Sequence, residues 1–123
     1  MSESLVISGG MLAGHADGQP LDLMIVDGVI AEIGPEGSLV SEGQFVDATE
    51  ALVMPGFVDI QVHFRTPGGE DSEDIASGAA GAALGGVTAC VMMPNTIPTI
   101  DNPTLVNEVL AMGRSSHCDI YTS

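Results

Sequence analysis

The sequence predicts an α/β chain in two parts: a small β-rich segment over residues 1–54 and a βαβαβ unit over residues 55–123. Three observations carry this. The dipeptide Asp27-Gly28 separates two short apolar runs, the signal of a β-hairpin with a two-residue turn. The pattern changes at Pro55-Gly56, after which strand-like and helix-like stretches alternate. Residues 87–93 are almost wholly apolar, as in a parallel strand covered on both faces.

In the first part, Leu5, Val6 and Ile7 predict a strand ended by Gly9-Gly10. Residues 21–26 and 29–33 form the hairpin, and 45–48 and 52–54 predict two more short strands. In the second part, a strand over 57–64 leads into the loop Thr66-Pro67-Gly68-Gly69. Ser72 is the expected N-cap of the first helix, with Glu73 and Asp74 in its first turn, where the helix dipole favours acids. Ile75, Ala79 and Ala82 give that helix one apolar stripe, and Gly85-Gly86 ends it. After the apolar strand comes the loop Pro94-Asn95-Thr96. Asn102 then caps a second helix that opens on Pro103 and carries Leu105, Val106, Val109 and Leu110 on one stripe. A third strand over 119–122 is expected to need a covering helix, so the chain reads as a piece of a longer protein.

Composition narrows the function. Hydrophobic residues make up 45% and aromatics only 3%, so the core is aliphatic. The formal net charge is -15, there is no lysine, and Arg65 and Arg114 are the only cations besides three histidines. Such a chain is repelled by phosphate backbones and anionic membranes, which excludes nucleic acid and membrane as expected partners. The acid excess has two readings, adaptation to salt-rich surroundings or simple solubility. Cys90 and Cys118 form no CxxC pair and are expected to be reduced and buried. No basic-then-apolar leader and no membrane-length apolar run is visible, so a cytoplasmic location is expected.

The stretch 58–65 carries the chemistry. Strict alternation would place Val58, Ile60, Val62 and Phe64 on one face and Asp59, Gln61, His63 and Arg65 on the other. A polar face inside a helix-covered parallel sheet points to an interior site at the C-terminal strand ends. The competing reading is an antiparallel edge strand with one wet face. His63 alone is weak, and His15 and His117 have no local partners. Arg65 can hold a carboxylate bidentately, or it can pair with the nearby Glu70 or Asp71. Asn95 follows the second parallel strand, where such folds place ligands, although it can equally serve as a turn residue after Pro94.

The run 55–65, Pro-Gly-Phe-Val-Asp-Ile-Gln-Val-His-Phe-Arg, resembles the PGxxDxHxHxR signature of dihydroorotases and related cyclic amidohydrolases. Thr66-Pro67-Gly68 with residues 73–78 is similar to their EPG…EDIxSG segment. Residues 82–88 and 93–96 match AAxxGGxT and MPNT, in the right order.

The resemblance implies the first βαβαβ part of a metal-dependent TIM barrel preceded by a segment of a small β-sandwich. It implies zinc, a metal-bound hydroxide that opens the ring of dihydroorotate to N-carbamoyl-aspartate in pyrimidine synthesis, and a proton-shuttling aspartate from a late strand. His63 matches the second histidine ligand of the first strand, and Arg65 and Asn95 match residues that hold the substrate's carboxylate. Gln61 stands where the first histidine ligand should be; its neutral amide oxygen is a poorer zinc donor than imidazole. The remaining ligands, among them a carboxylated lysine, would come from later strands, and this chain has no lysine. No catalytic residue is expected in this segment, and the chain alone is expected to be inactive. Two alternatives stay open. One is a non-catalytic homologue that acts as a structural partner of aspartate transcarbamoylase. The other is an allantoinase or hydantoinase relative. A homo-oligomer is a further expected assembly.

Overall fold

A computed structural model describes residues 3–123. The chain forms two compact units, one ending at Pro55 and the other Gly56–Ser123.

The first unit is a single five-stranded sheet: β1 (Ser4–Leu12), β2 (Pro20–Val26), β3 (Val29–Pro35), β4 (Gln44–Asp47) and β5 (Leu52–Val53). β2 and β3 form the antiparallel hairpin, with Val26 opposite Val29. The turn residues Asp27 and Gly28 both have positive φ, 49° and 79°, the geometry that matches the twist of the flanking strands. β1 pairs antiparallel with β2 and parallel with both β4 and β5. It does not stop at Gly9-Gly10, as the glycines suggested. The register slips between Ile7 and Gly10, and the strand continues to Leu12. Gly9 takes φ 73°, so the glycine pair makes a bulge rather than an end. Val6, Leu23 and Ala48 are buried in this unit. Beside them lies the fully buried carboxylate of Asp22. It accepts hydrogen bonds from the Ser8 hydroxyl (2.6 Å) and from the amides of Gly9 (3.1 Å) and Leu39 (3.2 Å).

The second unit is mixed α/β. Its three-stranded parallel sheet has the order β6 (Phe57–Val62), β7 (Val87–Met92), β8 (Asp119–Thr122). α1 (Ile75–Leu84) and α2 (Pro103–Gly113) make the two crossovers, with α1 on β7 and α2 on β8. Phe64, Ile75, Ala79, Cys90, Met92, Ile100, Val109, Cys118 and Ile120 form one buried cluster. Burying such an aliphatic side chain contributes about 1.5–3 kcal/mol. Ala82, Leu105 and Val106 pack against the cluster, as their helical spacing predicts. Cys90 and Cys118 are buried free thiols with sulfurs 3.9 Å apart. Burial, together with the neighbouring Cys118 thiol and the charge of Asp59, pushes the Cys90 thiol up to about 11.

Three local expectations are corrected. The N-cap of α1 is Asp74, not Ser72. The Asp74 carboxylate accepts from the Ser77 amide at 2.7 Å, and the Ser77 hydroxyl accepts from the Asp74 amide at 3.1 Å, a reciprocal capping box. The Ser72 amide instead donates to the Gly69 carbonyl in the preceding turn. Consequently neither Glu73 nor Asp74 lies in the first helical turn. The first parallel strand ends at Val62 and the second at Met92, so His63 and Arg65 stand on the connection beyond β6. Strict alternation also fails at the start of β6, where the register to β7 slips between Phe57 and Val58 and again between Asp59 and Val62. Val58 and Ile60 are 60% and 73% exposed on β6, which is an edge of this sheet.

Candidate active site

Alternation does hold where the chemistry lies. Val62 is half-buried and Phe64 buried in the helix-side core, while Gln61, His63 and Arg65 between them are exposed. Phe64 is the anchor. A Cβ on Gly78 of α1 would collide with its ring, so glycine there lets the helix close over it. Phe64 therefore fixes the chain between His63 and Arg65 and sends both away from the core.

Asn95 arrives from the end of β7. The amide of Met93 donates to the Val62 carbonyl at 2.9 Å, which joins the two strand ends one step before His63. The turn beyond is closed by its own polar groups. The Pro94 carbonyl accepts from the amides of Thr96 (2.9 Å) and Ile100 (3.2 Å), and the buried Thr96 hydroxyl donates to the Pro98 carbonyl at 2.7 Å. The Ile97 amide donates to the Pro67 carbonyl at 3.1 Å, which ties this turn to the loop after β6. The two loops meet at Gly68, which has φ 94° and no room for a Cβ against the Ile97 carbonyl. The buried Thr66 hydroxyl beside it has no partner among the described residues.

These contacts bring His63, Arg65 and Asn95 together. Oδ1 of Asn95 lies 3.0 Å from Nδ1 of His63. Arg65 and Asn95 line one cavity of about 120 Å³ with Phe64, Pro67, Gly68, Gly69, Thr96 and Ile97. Sequence reasoning missed the wall contributed by Gly68, Gly69, Thr96 and Ile97, although the Thr-Pro-Gly and Pro-Asn-Thr runs were its signal. Arg65 does not pair with Glu70 or Asp71. Among the described residues the ion pair within 4.0 Å is His15 with Asp17. Glu70 instead accepts from the Gly68 amide with both oxygens, at 2.9 and 3.0 Å. The cavity thus offers a guanidinium without an ion pair among the described residues and a carboxamide, a pair suited to a planar anion such as a carboxylate.

The donor chemistry for a metal is thinner. His63 is the one imidazole at these strand ends, and Gln61 offers only a neutral amide. No group of three or more His, Cys, Asp or Glu side chains that could hold a metal occurs among the described residues. By themselves these side chains do not fit a zinc ion. Among the described residues no helix is long and apolar enough to cross a membrane.

Comparison with known proteins shows the family. The Dihydro-orotase-like family model matches residues 50–117. The chain is 42% identical over 100 residues to a dihydroorotase of Mycobacterium tuberculosis, covering 81% of this chain and 23% of that protein. It is 39% identical over 121 residues to the dihydroorotase of Pelobacter propionicus, covering 96% and 28%. Over 94 residues it is 46% identical to that of Aquifex aeolicus, covering 76% and 22%. Among solved structures, the L-hydantoinase of Arthrobacter aurescens superposes with a TM-score of 0.80 at 26% identity, over 99% of this chain and 27% of that one. The chain spans about a quarter of the length of the curated relatives it matches. Matched by its family model over more than half its length, and by dihydroorotases along most of the rest, the chain belongs to the dihydroorotase-like family.

Proposed function

We propose that this chain is the N-terminal part of a cyclic amidohydrolase of dihydroorotase type, and that it supplies the carboxylate-holding half of the site. The observation that carries the reading is Arg65, without a carboxylate partner among the described residues in a chain of net charge -15, and sharing a cavity with Asn95. An unpaired guanidinium amid so many acids is a prepared anion site. In this reading residues 1–54 belong to a composite β-sandwich and residues 55–123 open a TIM barrel, with His63 as a metal ligand. The whole protein then hydrolyses the cyclic amide of dihydroorotate reversibly: water adds to the ring carbonyl, the C–N bond breaks and the nitrogen takes the proton, leaving N-carbamoyl-aspartate. Zinc would polarise the carbonyl and lower the pKa of the attacking water. Pyrimidine synthesis in the cytoplasm is the matching setting.

A direct test is a chemical-shift titration of the chain with dihydroorotate and with hydantoin, which lacks the carboxylate. Dihydroorotate should shift the amides of Gly68, Gly69 and Thr96, and Arg65→Ala should weaken binding at least about tenfold. Equal binding of both compounds, insensitive to Arg65, would favour a hydantoinase relative instead, the second reading that the Arthrobacter likeness supports. Gln61 supports a third: a non-catalytic homologue seated on aspartate transcarbamoylase. Co-sedimentation with that enzyme, together with failure to bind dihydroorotate, would favour it over the enzyme.

A further inference from the structure

We infer that Asn95 is a positioning residue that fixes the tautomer of His63, holding hydrogen on Nδ1 and leaving Nε2 as the ring's free electron-pair donor. A carboxamide oxygen can only accept, so the ring nitrogen 3.0 Å from Oδ1 must carry the hydrogen. A neutral imidazole has one N–H, and the lone pair is then on Nε2. Nε2 has no hydrogen-bond partner among the described residues, and His63 is exposed. Histidine in water prefers the opposite tautomer, so the acceptor must be held in place to impose this one.

The structure holds it in place. Asn95 sits in the turn closed by the Thr96 and Ile100 amides on the Pro94 carbonyl and by the Thr96 hydroxyl on the Pro98 carbonyl. His63 directly follows Val62, whose carbonyl is bonded to the Met93 amide. Acceptor and ring are each one or two residues from a backbone contact between the same two strand ends, so their separation cannot drift far. The Asn95 amide is then divided. Its oxygen serves the imidazole, while its NH2 group, unpartnered among the described residues, is left for an acceptor in the cavity that Asn95 lines. One side chain thereby sets both the electron-pair donor and the anion-holding donor. Its part in a reaction rests on the amidohydrolase reading; the tautomer itself does not.

The test is ring-nitrogen NMR of the 15N-labelled chain at a pH of about 8.5, where an ordinary imidazole is neutral. His15→Gln and His117→Gln assign the signals. The expected result is a protonated-type Nδ1 and a lone-pair-type Nε2 for His63. Asn95→Leu should shift the populations toward hydrogen on Nε2, and Asn95→Asp, which keeps an acceptor oxygen, should preserve the original tautomer. Hydrogen on Nε2 in the unaltered chain overturns the inference, as does an unchanged tautomer in a natively folded Asn95→Leu. Should the leucine variant not fold, the unaltered chain and Asn95→Asp decide alone. Dihydroorotate titrated into the same samples separates the two readings. The Nδ1–H tautomer without ligand binding keeps the lock and removes the amidohydrolase reading; ligand binding with the opposite tautomer does the reverse.

Discussion

A Cβ on Gly68 would collide with the carbonyl oxygen of Ile97, and this close approach joins the loops that follow the first two parallel strands. Gly68 also holds φ 94°, where an L side chain is strained. The two effects act together, so Gly68→Ala should cost about 1–3 kcal/mol and separate the walls that carry Arg65 and Asn95. Urea denaturation should show the lower midpoint, and dihydroorotate shifts at Thr96 should weaken in the same variant. An unchanged midpoint would mean that the loops are not clamped here.

Asp22 should make the chain sensitive to acid. Burial alone would raise its pKa, but hydrogen bonds from the Ser8 hydroxyl and from the Leu39, Gly9 and Gly37 amides outweigh that and hold it below the ordinary aspartate value. A depressed folded pKa favours the ionised form, so its stabilising contribution is complete above about pH 5 and fades as pH falls through the folded value. Asp22→Asn should cost about 1–3 kcal/mol at neutral pH, because one acceptor oxygen becomes a donor facing donors. Denaturation midpoints from neutral to acid pH should flatten in the variant; an equal slope in both proteins would count against Asp22 as the source.

The buried thiols should be inert in the folded chain. With Cys90 at about 11, only about a thousandth of it is thiolate at pH 8, and no solvent reaches it. A disulfide reagent should therefore label Cys90 and Cys118 only as fast as the unit opens, and urea should accelerate both together. Labelling at the rate of an exposed thiol would contradict the buried placement.

Added salt should raise the thermal midpoint. Net charge is -15 and the one ion pair among the described residues involves a histidine, so repulsion between acids goes largely uncompensated. Sodium chloride and sodium sulfate compared at equal ionic strength distinguish screening, which should be equal for both, from exclusion, which favours sulfate. No rise in chloride would remove the role assigned to charge repulsion.

Zinc should bind the chain poorly, and Gln61→His should tighten it by about tenfold or more, since even supporting contacts at metal sites are worth 10–100-fold. Competition against a chromophoric chelator measures this without any turnover. Equal affinity in both proteins would show that position 61 does not face His63.

Much of the architecture was legible in the sequence because local rules govern it. The Asp27-Gly28 turn demanded two positive φ angles, and the chain supplies them. The Asn102-Pro103 start of α2 and its apolar stripe follow from capping and a 3.6-residue period. The Pro-Gly…His-Phe-Arg and Met-Pro-Asn-Thr runs carried the family. What local rules could not decide was set by partners far along the chain. Gly9-Gly10 looked like an ending, but β4 and β5 pair with β1 on either side of it, and pairing outweighed glycine's weak strand propensity. Ser72 was as good a cap as Asp74 by type, and only the reciprocal bond with Ser77 chose between them. Strand alternation failed at Val58 and Ile60, where the register to β7 slips and β6 forms a sheet edge. His63 and Asn95 are 32 residues apart, and no periodicity records that they lie within hydrogen-bonding distance. The sequence by itself determined which groups stand at the strand ends; the tertiary structure decided which of them touch, because side-chain contact depends on strand pairing and loop packing that no short window of sequence contains.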